Sequence, residues 1–283
     1  MFLGRSPDPA ITQLGVFRLC FRRRFWFHFS VRTVSLKTVV SYCDGLLQAD
    51  RFADWPGAMN GLQVENRGQV SRLAAAVDAS PATIAMAVAA GADLLVVHHG
   101  LFWGETRPWS GKRYDLLRLL IERNLAIYSS HLPLDAHPHF GNNAQLGAAL
   151  GLKKWSPFFL EKDSYIGWRA PARLPRATLT ARLTRVLGCR PIVLPAGPPI
   201  CRQIGIVSGG AGDQLKRAAA EGVDTFVTGE GPHWTAVLAQ ELGLNVFYGG
   251  HYATETFGVK ALAAHLATKF RLPWQFLDCP SGL

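Results

Sequence analysis

Residues 125–135 read LAIYSSHLPLD, and residues 245–255 read NVFYGGHYATE. Each stretch is an apolar run that ends in a tyrosine, followed by two small residues, a histidine and, four positions later, an acid. These histidines and acids are His131 and Asp135 in the first stretch and His251 and Glu255 in the second. Two copies in one local frame, 120 residues apart, predict a duplicated unit that builds a metal or acid–base site.

Strand and helix patterns lead up to both stretches in the same order. In the first half the apolar periodicity predicts strands at 73–77, 94–97 and 126–129 and helices at 80–90 and 114–124. In the second half it predicts strands at 203–208, 225–227 and 246–248 and helices at 213–221 and 235–242. Uninterrupted apolar strands between helices are typical of parallel sheets covered on both faces. We therefore predict an α/β fold of two pseudo-duplicated lobes with largely parallel sheets.

The domain organisation follows from this duplication. We expect residues 1–34 to be an N-terminal extension with little fixed structure, and a transit or membrane-surface segment is the alternative. Residues 35–283 are expected to form one domain. Within it we predict lobe one at about 35–152, a linking segment at about 153–200 and lobe two at about 201–283.

Composition argues against some classes of function. The net charge is +10, but residues 1–33 contain six arginines and one aspartate and so carry half of it. The remaining charge is modest for the length, which argues against nucleic-acid binding. The five cysteines form no CxxC motif, as expected of free thiols in a reducing compartment such as the cytoplasm. No apolar run approaches the ~20 residues of a membrane span.

His98 and His99 follow the predicted strand at 94–97. Adjacent side chains on a strand point to opposite faces, so both can reach one site only where the strand ends, and Gly100 permits a turn there. Imidazole nitrogens suit divalent metals such as zinc, iron, nickel or cobalt. From the residues alone, the pair is either a ligand pair or two satisfied polar side chains.

The duplicated stretches supply further candidate ligands. Asp135 is a metal ligand or a loop or helix-cap carboxylate. If a helix begins near His251, then His251 and Glu255 share a face and can bind one metal site, whereas the alternative is a surface ion pair. His131 is a further ligand or a hydrogen-bond partner of the ligands. Glu230 and His233 are predicted at the rim of the site, in substrate or proton-transfer roles.

Taken together, two or three histidines and two carboxylates are enough to hold two metal ions about 3.5–4 Å apart. Such a pair lowers the pKa of bound water and stabilises a tetrahedral or phosphoryl transition state. The sequence therefore predicts a hydrolytic metal site.

Several motifs together resemble the Nif3-like dinuclear metal-centre proteins, which are also called GTP cyclohydrolase 1 type 2 homologues. The resemblance extends from about Leu36 to Leu277 and matches the short form, without an inserted domain. The motifs that carry it are PGAMNGLQV at 56–64, VHHG at 97–100, SHLPLD at 130–135, GNN at 141–143, VTGE at 227–230 and GGHYATE at 249–255.

The resemblance implies an intertwined Nif3-like α/β fold, with the metal site where the lobes meet, and a ring-shaped homohexamer. It also implies two divalent metal ions per subunit, with zinc, iron, manganese, nickel and cobalt as candidates. The implied metal ligands are His98, His99, Asp135, His251 and Glu255.

The resemblance does not define a reaction, so three functions stay open. The first is a metal-dependent hydrolase in which metal-bound hydroxide attacks a small substrate, such as a nucleotide or purine, and Glu230, His131 or His233 moves protons. The second is a non-catalytic, hexameric metal-binding or regulatory scaffold. The third, nucleic-acid binding through positive charge, predicts an affinity that falls steeply with salt.

Overall fold

The computed structural model describes residues 32–104 and 107–282. The predicted N-terminal extension lies almost wholly outside these described residues. Within them, no helix has both the length and the apolar composition needed to cross a membrane.

The described residues form a mixed α/β structure, as the periodicity predicts. The strands are β1 Val34–Ser35, β2 Gly61–Val64, β3 Gln69–Val70, β4 Leu73–Asp78, β5 Leu94–His99, β6 Ala126–Ser129, β7 Ser156–Glu161, β8 Ser164–Pro175, β9 Ile192–Pro195, β10 Ile200–Ile206, β11 Thr225–Thr228, β12 Asn245–Tyr248 and β13 Trp274–Phe276. The α-helices are α1 Leu36–Leu47, α2 Pro81–Ala89, α3 Lys112–Glu122, α4 Leu132–Ala136, α5 Asn142–Ala149, α6 Arg176–Leu187, α7 Leu215–Ala220, α8 Thr235–Leu242 and α9 His251–Phe270. Short 3-10 helices lie at Ala49–Arg51 and Ala211–Gln214.

The first sheet has the strand order β13-β4-β5-β6-β2. Its first four strands are parallel, and β2 pairs with β6 in the antiparallel direction. Alternate side chains of β4 face opposite layers: Leu73 and Ala75 pack with α1 and α9, whereas Ala74 and Ala76 pack with α2 and α3. Helices on both faces explain why β4 and β5 are apolar on both faces up to their carboxyl ends.

The second sheet has the order β7-β8-β10-β11-β12-β9. Its centre, β10-β11-β12, is parallel, and the strands on either side are antiparallel. Phe226 of β11 faces the core formed with α7 and α8, and the next residue, Val227, faces the core formed with α5 and α6. The unit β10-α7-β11-α8-β12 therefore repeats β4-α2-β5-α3-β6, which agrees with the predicted duplication.

The C-terminal segment returns to the first sheet. Helix α9 begins directly after β12 of the second sheet, but its buried Val259, Leu262 and Leu266 pack in the core of the first. Strand β13 then pairs with β4 at the edge of that sheet. The two lobes are therefore intertwined. By sheet membership, β7, β8 and β9 of the predicted linking segment belong to the second sheet.

The structure differs from the sequence predictions at two places, one predicted loop and one unpredicted strand. The sequence pattern predicts a loop at residues 131–135, but α4 begins at Leu132. Pro133 lies in its first turn, where no N–H is needed, and the amides of Leu134 and Asp135 donate to the His131 carbonyl at 2.9 and 3.1 Å. Strand β7 is not among the predicted strands; it contains Pro157, and a proline is tolerated there because β7 is an edge strand.

Candidate metal centre

The five predicted ligands come from three elements that end or begin at one place. His98 and His99 close β5, Asp135 lies in α4 after β6, and His251 and Glu255 lie in the first two turns of α9 after β12. These positions follow the carboxyl ends of parallel strands, where open α/β sheets bind ligands. Because β5 and β6 belong to the first sheet and β12 to the second, the site joins both sheets.

The nitrogen and oxygen atoms of these side chains converge. His98 Nε2 lies 3.5 Å from Asp135 Oδ2 and 3.6 Å from Glu255 Oε1. Glu255 Oε2 lies 3.5 Å from His99 Nε2 and 3.2 Å from His251 Nε2. The three separations of 3.5–3.6 Å are long for hydrogen bonds, and all four are close to the roughly 3.3 Å between ligands that surround a tetrahedral ion at about 2.0–2.1 Å.

Two of these atoms are buried and have no hydrogen-bond partner. They are Nε2 of His98 and Oε2 of Glu255. Burying an unpartnered polar atom is costly, so such atoms in a native site call for a missing partner. A divalent cation satisfies a nitrogen and a carboxylate oxygen at once, and the donor set therefore fits a metal.

Each of the four histidines at the site is oriented by a contact between its Nδ1 atom and an oxygen atom. The Nδ1 atoms contact the Ser130 carbonyl at 2.9 Å for His98, Asp78 Oδ1 at 2.8 Å for His99, Glu230 Oε1 at 2.8 Å for His251 and Asp54 Oδ1 at 2.7 Å for His131. Oxygen acceptors on Nδ1 are the usual support of metal-binding histidines because they fix the tautomer and the ring orientation. In each ring Nε2 is then the atom left to bind a metal ion.

Asp135 is oriented in a similar way. Its Oδ1 accepts from Asn142 Nδ2 at 2.8 Å and from Ser208 Oγ at 3.2 Å, which leaves Oδ2 facing His98. Asn142 is itself fixed because its side-chain oxygen accepts from the Gly258 amide of α9 at 2.6 Å. These contacts hold α4, α5 and α9 in register around the site.

The charges at the site perturb one another. Burial alone would lower the pKa of His98, but the nearby charges of Asp135 and Glu255 outweigh it and raise the pKa to about 10. The neighbouring Glu255 carboxylate is the main cause that raises the pKa of His251 to about 9. Burial would raise the pKa of Glu255, yet His98 and His251 hold it well below its ordinary value. Buried carboxylates thus stabilise positive charge here, whether protons or a metal carry it.

The predicted proton-transfer residues lie in different places. His131 is at the site, with its ring centroid 4.9 Å from that of His98 and 4.6 Å from that of Trp103. Glu230 lies behind His251 as its Nδ1 partner, rather than as a free rim carboxylate. His233 is exposed, and in the described part of the chain it makes none of the ring or hydrogen-bond contacts that join the other four histidines.

A cavity of about 200 Å³ opens above the candidate ligands. Aromatic and aliphatic side chains form its walls, among them Trp55, Trp103, Phe159 and Ile166, and its floor includes His99, His131, Asp135, His251 and Glu255. Trp55 and Trp103 are about half exposed, at 51% and 47%. The cavity can therefore admit a small ligand with an apolar face and bring it against the polar floor.

Two groups of side chains are close enough to hold a metal ion, with their ligand atoms all within 4.8 Å of one another. One group is His98, His99 and His131, and the other is His99, His251 and Glu255. The groups share His99, so they describe adjacent parts of one site.

Sequence reasoning missed several supporting residues. Asp78 had a usable signal, because it ends β4 beside His99 on the neighbouring strand. Asn142 lies in the GNN motif, which belongs to the family resemblance but by itself indicates no role for the residue. Asp54 had no such signal, because it lies in an irregular segment 77 positions before His131.

The sequence matches a known protein family over nearly all of the described residues. Residues 34–280 match the sequence model of the Duf34/NIF3 (NGG1p interacting factor 3) family. The chain belongs to this family, which confirms the resemblance drawn from its motifs.

Individual relatives agree with this assignment. A GTP cyclohydrolase 1 type 2 homolog of Deinococcus radiodurans is 41% identical over 228 residues, which cover 80% of this chain and 87% of the relative. One of Halobacterium salinarum is 41% identical over 258 residues, covering 88% of this chain and all of the relative. The crystal structure of TTHA1606 from Thermus thermophilus shares 41% identity and a TM-score of 0.82, covering 88% of this chain and all of that one. The similarity spans nearly all of the described residues and confirms the predicted fold.

Proposed function

We propose that this chain is a dinuclear metal-dependent hydrolase acting on a small substrate. Its metal ligands would be His98, His99, Asp135, His251 and Glu255. The observation that carries the proposal is the pair of buried, unpartnered atoms, His98 Nε2 and Glu255 Oε2, within one convergent cluster of nitrogens and oxygens. Of the five residues, Glu255 has the central place, because one oxygen faces His98 and the other faces His99 and His251.

The described residues divide the remaining tasks. Two divalent ions would supply Lewis acidity and a nucleophile at neutral pH. Trp55, Trp103 and Phe159 would exclude water and pack against an apolar face of the substrate. His131, on the cavity floor, is proposed to exchange a proton with the substrate, and Glu230 to hold the ring of His251. We propose no role for His233.

We base the proposed substrate class on similar proteins and on the cavity. The curated relatives carry the name GTP cyclohydrolase 1 type 2 homolog. On that similarity we propose a nucleotide or purine-type substrate, which a small cavity with aromatic walls supports. We also propose that the subunits assemble into a homohexameric ring, as the family resemblance implies.

The test combines metal content with turnover. Purified chain is analysed for metals and screened against GTP, purine nucleosides and simple phosphoesters, alongside His98→Gln and the control His139→Gln, an exposed histidine outside the site. We expect a turnover that needs metal, falls at least 10²-fold in His98→Gln and is unchanged in His139→Gln. Bound metal with no turnover on any substrate would contradict the proposal and favour a non-catalytic metal-binding scaffold.

A further inference from the structure

Asp54 lies directly behind His131, in the segment between the first 3-10 helix and β2. Its carboxylate is almost buried, with 5% of the side chain exposed, and its Oδ1 is 2.7 Å from His131 Nδ1. The His131 side chain is 10% exposed. A buried carboxylate this close to an imidazole fixes the ring far more strongly than a surface ion pair does.

The same carboxylate also fixes the backbone that carries His131. Asp54 Oδ2 accepts from the Leu132 amide at 3.2 Å and from Asn60 Nδ2 at 2.8 Å. The Asn60 side-chain oxygen in turn accepts from the His131 amide at 2.7 Å. Asp54 and Asn60 thus hold both the ring and the main chain of His131, so the ring has little freedom to turn away.

These contacts determine which ring nitrogen faces the site. Burial would raise the pKa of Asp54, but the hydrogen bond and charge of His131, with hydrogen bonds from Asn60 and Trp55, bring it below its ordinary value. An ionised carboxylate only accepts hydrogen bonds, so His131 Nδ1 carries the hydrogen. Nε2 is then the free nitrogen of the His131 ring, which packs against the rings of His98, His99 and Trp103.

We propose that Asp54 is a positioning residue that fixes the tautomer and orientation of His131, so that Nε2 is presented to a substrate bound over the candidate metal ligands. The proposal rests on the proposed hydrolase function, which it deepens. His131 is the group that touches the substrate, and Asp54 acts only through it.

The Asp54→Asn variant tests this proposal with measurements that distinguish positioning of His131 from a purely structural role of Asp54. Nitrogen-15 NMR of the histidine rings reports the tautomer, metal analysis reports the ligands, and kinetics on any substrate found in the screen separates kcat from KM. We expect a changed His131 tautomer, unchanged metal content and a kcat lowered by about 10²-fold or more, with KM within about twofold.

Three further variants keep the test decisive. Asp50→Asn changes an exposed acid nearby in the chain and should match the wild type in all three readouts. His131→Gln should lose as much kcat as Asp54→Asn, and the double variant should lose no more than His131→Gln alone, because the two residues act as a unit. This comparison holds even if Asp54→Asn folds less stably.

Three outcomes would overturn the inference. They are an unchanged His131 tautomer in Asp54→Asn, losses of kcat that add in the double variant, and loss of metal from His131→Gln, which would make His131 a ligand. If the wild type binds no metal and has no turnover, the proposed function fails. The NMR comparison then still decides whether Asp54 sets the tautomer.

Discussion

Four histidines at the site are oriented by the same device, an oxygen acceptor on Nδ1. The acceptors differ in charge: His98 has a backbone carbonyl, whereas His99, His131 and His251 have carboxylates. A carboxylate makes the imidazole more basic than a carbonyl does, which favours metal binding and proton acceptance. The choice of partner therefore adjusts each ring separately, while the Nε2 atoms of His98, His99 and His251 all face the carboxylates of one site.

The metal-free protein should lose stability as the pH rises. Folding raises the pKa of His98 from 6.5 to about 10 and that of His251 from 6.5 to about 9. Their protonation thus stabilises the fold fully below about pH 6.5, and this contribution, on the order of a few kcal/mol, disappears as the pH approaches 9–10. We expect the Tm of chelator-treated chain to fall between pH 6.5 and 9.5.

His98→Gln provides the comparison, because it removes one of the two titrating groups. Its Tm should depend less on pH over the same range. An equal slope in the variant and the wild type would contradict the assignment of the effect to His98.

At the residue scale, sequence reasoning found the candidate ligands but not their supports. His98, His99 and Glu255 are recognisable because their residue types and spacing are typical of metal sites. Asp54 is not, because an aspartate in an irregular segment is ordinary and only the fold brings it to His131. Supporting residues depend on tertiary contacts, which local patterns do not encode.

At the scale of elements, the strand ends assemble the site and one tight loop fits α9 to it. Gly209, after β10, has a φ of +69°, and a Cβ there would overlap the Oε1 of Glu255. Its amide donates to Thr254 Oγ1 at 3.0 Å. The second sheet therefore approaches the helix as closely as a glycine allows, and this contact sets the position of the Glu255 carboxylate.

Gly209→Ala should weaken metal binding by about 10-fold or more, because the new methyl group displaces Glu255. The matched control is Gly222→Ala, at a φ of +80° with nothing within 4 Å of the added Cβ. Both substitutions place an alanine in the left-handed region of backbone conformation, which costs about 1–2 kcal/mol. Only Gly209→Ala also disturbs the candidate metal ligand Glu255. Equal metal affinities in the two variants, measured by chelator competition, would argue against this role of Gly209.

Periodicity predicts the bounds of an element where the apolar pattern is strong. It does not predict which sheet the element packs against, because tertiary contacts decide that. Helix α8 was predicted with its observed bounds, Thr235–Leu242. The pattern does not predict that α9 and β13 return to the first sheet, because an apolar periodicity shows that a helix has a buried face but not which sheet it covers.

At the scale of the whole molecule, the candidate centre joins two intertwined sheets. His98 and His99 end a strand of the first sheet, and His251 and Glu255 follow a strand of the second. A metal that binds only the folded chain stabilises it by about 2.7 kcal/mol at 100 times its Kd. Metal binding should therefore couple to global stability rather than to one lobe.

The proposed function requires one shared centre that holds the metal ions, with Glu255 at its middle. The most direct measurement is the number of metal ions per chain in the wild type, in Glu255→Gln and in Glu241→Gln, an exposed control on α8. We expect two ions in the wild type and the control and fewer than one in Glu255→Gln, because both ions depend on this carboxylate. Retention of one full ion in Glu255→Gln, or a wild type without metal after reconstitution, would contradict it.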